Sequence, residues 1–438
     1  MLKKLAGMLL IVFCCIARAQ QTEPGGTDAD RSLALTNADE YAWRLFMYLN
    51  RQAAAGAAGV PDASKPSIAN YDDDRDAIWE TWALSSGLDL DTSVRPFKIL
   101  ANYSEVFKNP ATMPAKWEDL PRGTNRPKIL SEDFKGLLTL LEPAGLRSPG
   151  PGGFRILIAP IGSNPAEDES RMNKSTYETV RSQGLFSVEG IEAAASKAAT
   201  LHQNSLVTFE QGSKEVKARW IHLADCDNNP SCADKKRYHW RTVPRNGVSE
   251  IWGLVSLHII TKDLPNWFWA DFGHIDCDEG KGACAAFRAE TPLRDSTTLN
   301  SGGVRKGTEN TKWSFYRLRG TETDFVTSNG IDAVLSNPVI EAGFQRSSCL
   351  TCHSYATSAA SAAAPAQGTS LPLFAGKTGV RNAGSHSDDI GKSDCRRFYS
   401  PGGGLTQQCG NIFSPGNPLY VQTDFLWSIA MRAFSAKP

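Results

Sequence analysis

Ile251-Trp252-Gly253-Leu254-Val255-Ser256-Leu257-His258-Ile259-Ile260 is the stretch on which the fold turns. An apolar run this short, rich in β-branched and aromatic residues, predicts a strand buried on both faces. On its N-terminal side, Ser205–Glu210 and Lys214–Leu223 predict a hairpin around Gln211-Gly212-Ser213. On its C-terminal side a further strand is expected from Trp313 to Leu318. Helices flank this strand-rich middle. Asn37-Ala38-Asp39-Glu40 is a capping box opening a helix to about Ala55, with Trp43, Phe46 and Met47 on its apolar side. Residues 56–76 read as a loop, Trp79 and Trp82 open a short helix, and Val188–Leu201 is an Ala-rich helix. The Pro- and Gly-rich stretch 143–153 marks a subdomain break, with an apolar strand after it at Phe154–Ala159. The expected class is α+β: a mixed N-terminal region with a central antiparallel-rich sheet, then a mainly α-helical C-terminal region.

The composition of the 438 residues agrees with a folded protein: 41% are hydrophobic and 21% charged, which excludes a wholly disordered or collagen-like chain. Lys and Arg number 47 against 47 Asp and Glu, a balance that argues against a general nucleic-acid binder, which would need a strongly basic surface. The N-terminus reads as a signal peptide over residues 1–19. Lys3 and Lys4 precede an apolar run from Leu5 to Ile16, and Ala17-Arg18-Ala19 sets small residues before a cut at Gln20. That run is shorter than the about 20 residues a membrane helix needs. The mature chain is therefore expected in the periplasm or secreted, with no membrane span after signal removal.

Eight of the ten cysteines lie beyond the signal segment, and an even number in an exported chain points to disulfides. Cys226–Cys232, Cys277–Cys284 and Cys395–Cys409 are the simplest local pairs. Asp276, Asp278 and Glu279 beside Cys277 lack the spacing of a calcium loop and read as a solvated, disulfide-closed segment. Asp72-Asp73-Asp74 reads as a charge run at a helix start.

The remaining two cysteines stand in Cys349-Leu350-Thr351-Cys352-His353, which is C-x-x-C-H, the attachment signature of c-type haem. Each thiol adds across one haem vinyl group, and His353 comes under the iron as proximal axial ligand. Asn337-Pro338 is a helix start, so the motif is expected late in a helix running from Val339 to His353. Such a position argues against a thioredoxin-like redox pair, which opens a helix, and the distance to Cys395 and Cys409 argues against zinc.

On this motif, residues 337–438 resemble a mono-haem cytochrome c domain, with an amphipathic final helix at Asp424–Phe434. The remainder, with Trp79-Glu80-Thr81-Trp82, is similar to an uncharacterised bacterial exported family that carries the same terminal motif. The resemblance implies one covalent haem c and a sixth iron ligand from Met or His. Met431 is the sole Met after the motif, though a core position in the last helix explains it as well. His258 interrupts the buried run and needs a hydrogen-bond partner or a metal. His274 follows the aromatic cluster Trp267-Phe268-Trp269 and Phe272, and His386 lies in a Gly/Ser/Asp-rich loop. His222 falls in phase with Val216, Ala218 and Trp220 on an apolar strand face.

Residues 20–336 carry no dinucleotide, phosphate-loop or nucleophile-elbow motif. The expectation is an exported mono-haem cytochrome carrying single electrons to or from a redox protein or small donor or acceptor. The rivals are a haem enzyme of peroxidase or oxygenase type with an open sixth site, and a substrate-oxidising module feeding its own cytochrome.

Overall fold

The computed structural model describes residues 22–85, 116–120, 166–201, 205–359 and 420–432, except 74, 246, 332, 342–344, 346 and 355. The expected signal segment, the break at 143–153, the strand expected at 154–159, His386, Cys395 and Cys409 lie outside the described residues.

The described residues form an α+β fold. Helices α1 (Asp28–Thr36) and α2 (Ala38–Leu49) come first, then β1 (Ala83–Leu84), β2 (Ala166–Met172), α3 (Lys174–Ser182) and α4 (Val188–Thr200). Strands β3 (Lys214–His222), β4 (Trp240–Arg245), β5 (Val248–Thr261) and β6 (Phe268–His274) follow. They lead into α5 (Ile275–Glu279) and β7 (Tyr316–Glu322). The described residues end with α6 (Cys349–Ser354), β8 (Thr357–Ala359), β9 (Tyr420–Gln422) and α7 (Trp427–Arg432).

Strands β1 to β7 make one antiparallel sheet of 7 strands in the order β1-β2-β3-β5-β6-β7, with β4 also on β5. The apolar run beginning at Ile251 is its spine. One edge of β5 pairs β3, while the other takes β4 along Val248–Gly253 and β6 along Ser256–Thr261. Where β4 and β3 flank the same residue, Gly253 leaves room: a Cβ there would meet Leu223 at 2.9 Å and Tyr238 at 3.0 Å.

One face of the sheet is aromatic. Phe272 on β6 stacks on Phe46 of α2 at 4.3 Å, Trp43 meets the same ring edge-on at 5.0 Å, and Phe268 takes Tyr41 at 4.9 Å. These rings are buried, and removing a phenyl group of this kind costs about 3–5 kcal/mol. The opposite face carries buried charge. Asp168 bonds Arg219 at 2.5 Å and Lys217 at 2.9 Å. Burial pushes the Asp168 carboxyl up, and the two cations more than reverse that, leaving it at about 2.

Several expectations need correction. Residues 206–210 are not a strand; β3 pairs β2 and β5, and only the turn at 211–213 is present. The helix capped by Asn37 stops at Leu49, where Asn50 bonds back to Phe46, and does not reach Ala55. Asp72 and Asp73 start no helix but pair with Lys65 and Lys312. Asp276 and Asp278 are not solvated: they lie in α5, bonded to Tyr238 and Arg319. Two of the expected disulfides, Cys226–Cys232 and Cys277–Cys284, are formed.

Candidate functional site

Four strands place one residue each in a row across the sheet: Glu215 of β3, Ile260 of β5, Trp269 of β6 and Glu322 of β7. Residues directly opposite one another share a face. The C-x-x-C-H segment and the chain's last described helix lie over this row. The His353 ring sits 4.5 Å from Trp269 at 59°, Ser428 donates to Glu215 at 2.6 Å, and Ser348 donates to Glu322 at 2.5 Å.

The motif does not end a long helix. Residues 338–341 form a turn, in which the Asn337 side chain accepts from Val339 N–H and the Glu341 carboxylate accepts from Asn337 N–H. Cys349 is the first residue of α6. The N–H groups at a helix start need acceptors, and Glu322 supplies them to Cys349 and to Leu350, the latter at 2.9 Å. Burial pushes the Glu322 carboxyl up to about 7, against the pull of these hydrogen bonds.

Cys349 is buried, and its thiol donates to Leu335 O at 3.2 Å. His353 Nδ1 lies 2.8 Å from Phe425 O. A carbonyl only accepts, so Nδ1 carries a proton, and in the neutral ring Nε2 then holds the lone pair. A metal-bound imidazole needs that tautomer, oriented by a bond on its other nitrogen. In that tautomer Nε2 is the nitrogen that an iron would take if the C-x-x-C-H segment held a haem. A thioether has no hydrogen, so attachment at Cys349 would remove its bond to Leu335 O. The side chains of Cys352 and Met431 lie outside the described residues.

Among the described residues, the histidines weighed as further ligands face other groups. His258 Nε2 faces Asp271 Oδ1 at 3.0 Å, in the row next to Trp269; Asn337 donates to the same carboxylate oxygen at 2.9 Å. His274 has neither ring nitrogen left for iron. Its Nδ1 caps α5 by accepting from Asp276 N–H at 3.2 Å, and Nε2 donates to Arg237 O at 3.3 Å. Burial pushes its pKa down to about 3, so it stays neutral there, flat against Tyr238 at 3.9 Å. His222 is a third exposed, paired with Asp227 at 2.7 Å and stacked on Trp252, so it is not on a closed apolar face.

Trp79-Glu80-Thr81-Trp82 belongs to a separate buried cluster. Glu80 Oε2 meets His239 Nε2 at 2.9 Å and Arg241 at 2.6 Å, and Trp79 donates to Asn50 at 2.9 Å. His239 stacks on Trp313 at 4.9 Å, and burial holds its pKa well below the usual range.

Sequence reasoning missed Glu322, Trp269 and the Phe425 carbonyl. Each reaches the motif from a distant part of the chain, and spacing carries no signal for that. Comparison of the chain with protein-family models, curated proteins and solved structures returns no match. Among the described residues, no helix is long and apolar enough to cross a membrane.

Proposed function

We propose that this protein is an exported c-type cytochrome that carries single electrons. Cys349 and Cys352 would hold one haem c by thioether bonds, with His353 Nε2 as proximal ligand, in a cytochrome c-like region spanning 337–438. The observation that carries the reading is the His353 Nδ1–H bond to Phe425 O, which leaves Nε2 as the basic nitrogen. The bound group would supply one-electron Fe(III)/Fe(II) chemistry. The chain's own part is to orient and shield. Trp269 covers one side of the His353 ring, Glu322 fixes the start of α6, and the buried Cys349 faces away from solvent. Met431 is retained as the sixth ligand over His258 and His274, whose ring nitrogens face Asp271 or are bonded to the main chain. The partner would be a redox protein or a small donor or acceptor.

A second reading has one observation in its favour. Cys349 opens α6, the position of an exchanging dithiol, and the helix-end argument against that chemistry no longer applies.

The test is an absorption spectrum of the full chain from a host that matures c-type haem, followed by denaturation in alkaline pyridine. Colour that stays with the denatured chain, and is lost in Cys349→Ala/Cys352→Ala, is the expected result. A sharp low-spin reduced spectrum that turns high-spin in Met431→Ala supports electron transfer with Met431 as ligand. A high-spin spectrum that shifts with carbon monoxide or peroxide replaces the carrier with an enzyme. A colourless chain whose two cysteines form a reducible disulfide selects the dithiol reading.

A further inference from the structure

The carbonyl that receives His353 Nδ1–H is held by residues outside the attachment motif. Asp424 and Phe425 both have left-handed backbones, with φ of 49° and 68°. Asp tolerates that conformation, but a bulky aromatic residue such as Phe425 adopts it only where its surroundings hold it there. Here the surroundings come from two directions. The first is the turn between β5 and β6. Lys262 Nζ lies 2.6 Å from Asp424 Oδ1 and also donates to Pro265 O at 2.6 Å. Trp267 of the same turn is itself left-handed, at φ 63°, with Lys262 Nζ 5.7 Å above its ring. The other Asp424 oxygen accepts from Phe209 N–H at 3.1 Å. Both members of the ion pair are about nine-tenths buried, 10% and 9% exposed.

The second direction is the chain just after His353. Thr423 N–H and its hydroxyl both reach Ala356 O, at 2.9 and 3.0 Å, and Leu426 N–H returns to Thr423 O at 3.1 Å. Strands β8 and β9 pair immediately beyond this point. The two sets of bonds meet at Phe425, whose carbonyl is thereby directed at the imidazole.

We infer that Asp424 and Lys262 are positioning residues for His353. Their ion pair holds the left-handed turn at Asp424-Phe425, and the turn fixes the imidazole as the Nδ1–H tautomer with Nε2 offered to a metal. Neither residue touches the haem in this scheme; they act through the Phe425 carbonyl. The part that concerns iron rests on the function proposed above, while the tautomer does not. A bond from Nδ1–H to a carbonyl raises the electron density at Nε2 and favours the ferric state. Loosening the turn should therefore move the reduction potential of the haem-bearing chain upward.

The test uses the full chain made without haem, labelled with ¹⁵N at histidine, with the His353 resonances identified by His353→Gln. Long-range proton–nitrogen spectra should show a single Nδ1–H tautomer in the wild type. They should show mixed tautomers in Asp424→Gly, which relieves the backbone strain but removes the anchor. Lys262→Met leaves Asp424 in place and serves where the first variant fails to fold; it should also mix the tautomers. Asp424→Asn keeps an acceptor for Phe209 N–H and tolerates the left-handed backbone, and should restore part of the preference. A wild-type chain with Nε2–H, or a folded Lys262→Met chain with an unchanged Nδ1–H tautomer, would overturn the inference. Because this readout needs no haem, it stands apart from the pyridine assay. On the haem-bearing chain, the midpoint potential of Lys262→Met should lie above the wild-type value.

Discussion

The main-chain N–H of Leu350 ends on the Glu322 carboxylate, 2.9 Å away, and joins the C-x-x-C-H segment to the last residue of β7. A helix of six residues would have little stability alone. Here a strand residue 28 positions earlier supplies the acceptor that its first turn lacks.

Glu322 makes the protein less stable as pH rises. Burial holds its carboxyl at about 7 against an ordinary value of 4.5, so the folded chain keeps a proton that the unfolded chain releases. The penalty grows from the ordinary carboxylate range upward and is fully present above about pH 7, on the order of 3 kcal/mol. Glu322→Gln keeps an acceptor and removes the charge. Urea midpoints of the variant should gain on the wild type steadily between about pH 5 and 8. Parallel profiles would show that Glu322 does not titrate in this window.

His274 has the opposite sign. Its pKa falls from 6.5 to about 3 on burial, so its contribution is intact above the ordinary histidine range and is lost as pH falls toward 3. His274→Asn can still cap α5, but it loses the stacked ring and should unfold with a weaker acid dependence. Since both ring nitrogens are bonded within the fold, the visible spectrum of the haem-bearing variant should equal the wild type. A change of spin state would return His274 to the iron.

Glu80 neutralises Arg241, which is almost wholly buried. Glu80→Ala removes the 2.6 Å carboxylate from that cation, leaving it the longer contact to Asp76 at 3.5 Å, and takes away the acceptor of His239, a loss of about 3 kcal/mol in denaturant unfolding. Glu80→Gln, which keeps an acceptor, should lose less. Equal stability of Glu80→Ala and wild type would mean the cluster is not formed.

The two disulfides close loops of 6 and 7 residues. Replacing either pair by alanine should cost about 2 kcal/mol, the entropy of a loop this short. Neither replacement should alter pigment bound through Cys349 and Cys352. Loss of pigment in Cys226→Ala/Cys232→Ala would place that loop in the site.

Local pattern made much of this molecule readable. The apolar run at 251–260 lies within β5, the capping box at Asn37 opens α2, and Val188 begins α4. Nearness in the chain was enough for the two disulfides. What escaped was decided at long range. Residues 206–210 read as a hairpin arm, yet Leu206 N–H is taken by Gln422 O instead. Asn337 has the residue type of a helix start, but it serves a turn and donates to Asp271. Of the site itself, the motif named the donor atoms of His353 and the cysteines. It was silent on Glu322, Trp269 and Phe425, which lie 28, 84 and 72 residues from the groups they touch.

That separation sets an order of assembly. Contacts between distant parts of a chain form late, because the loop entropy must be met before the contact forms. On the proposed export, N-terminus first, Cys349, Cys352 and His353 would reach the far side before Phe425 does. Until then the imidazole has no carbonyl to choose its tautomer, and in the proposed cytochrome the motif would still be accessible to the machinery that attaches haem. On that proposal residues 423–426 would act as a latch, closed after attachment, and a chain cut short before Thr423 would lack the carbonyl that receives His353 Nδ1–H.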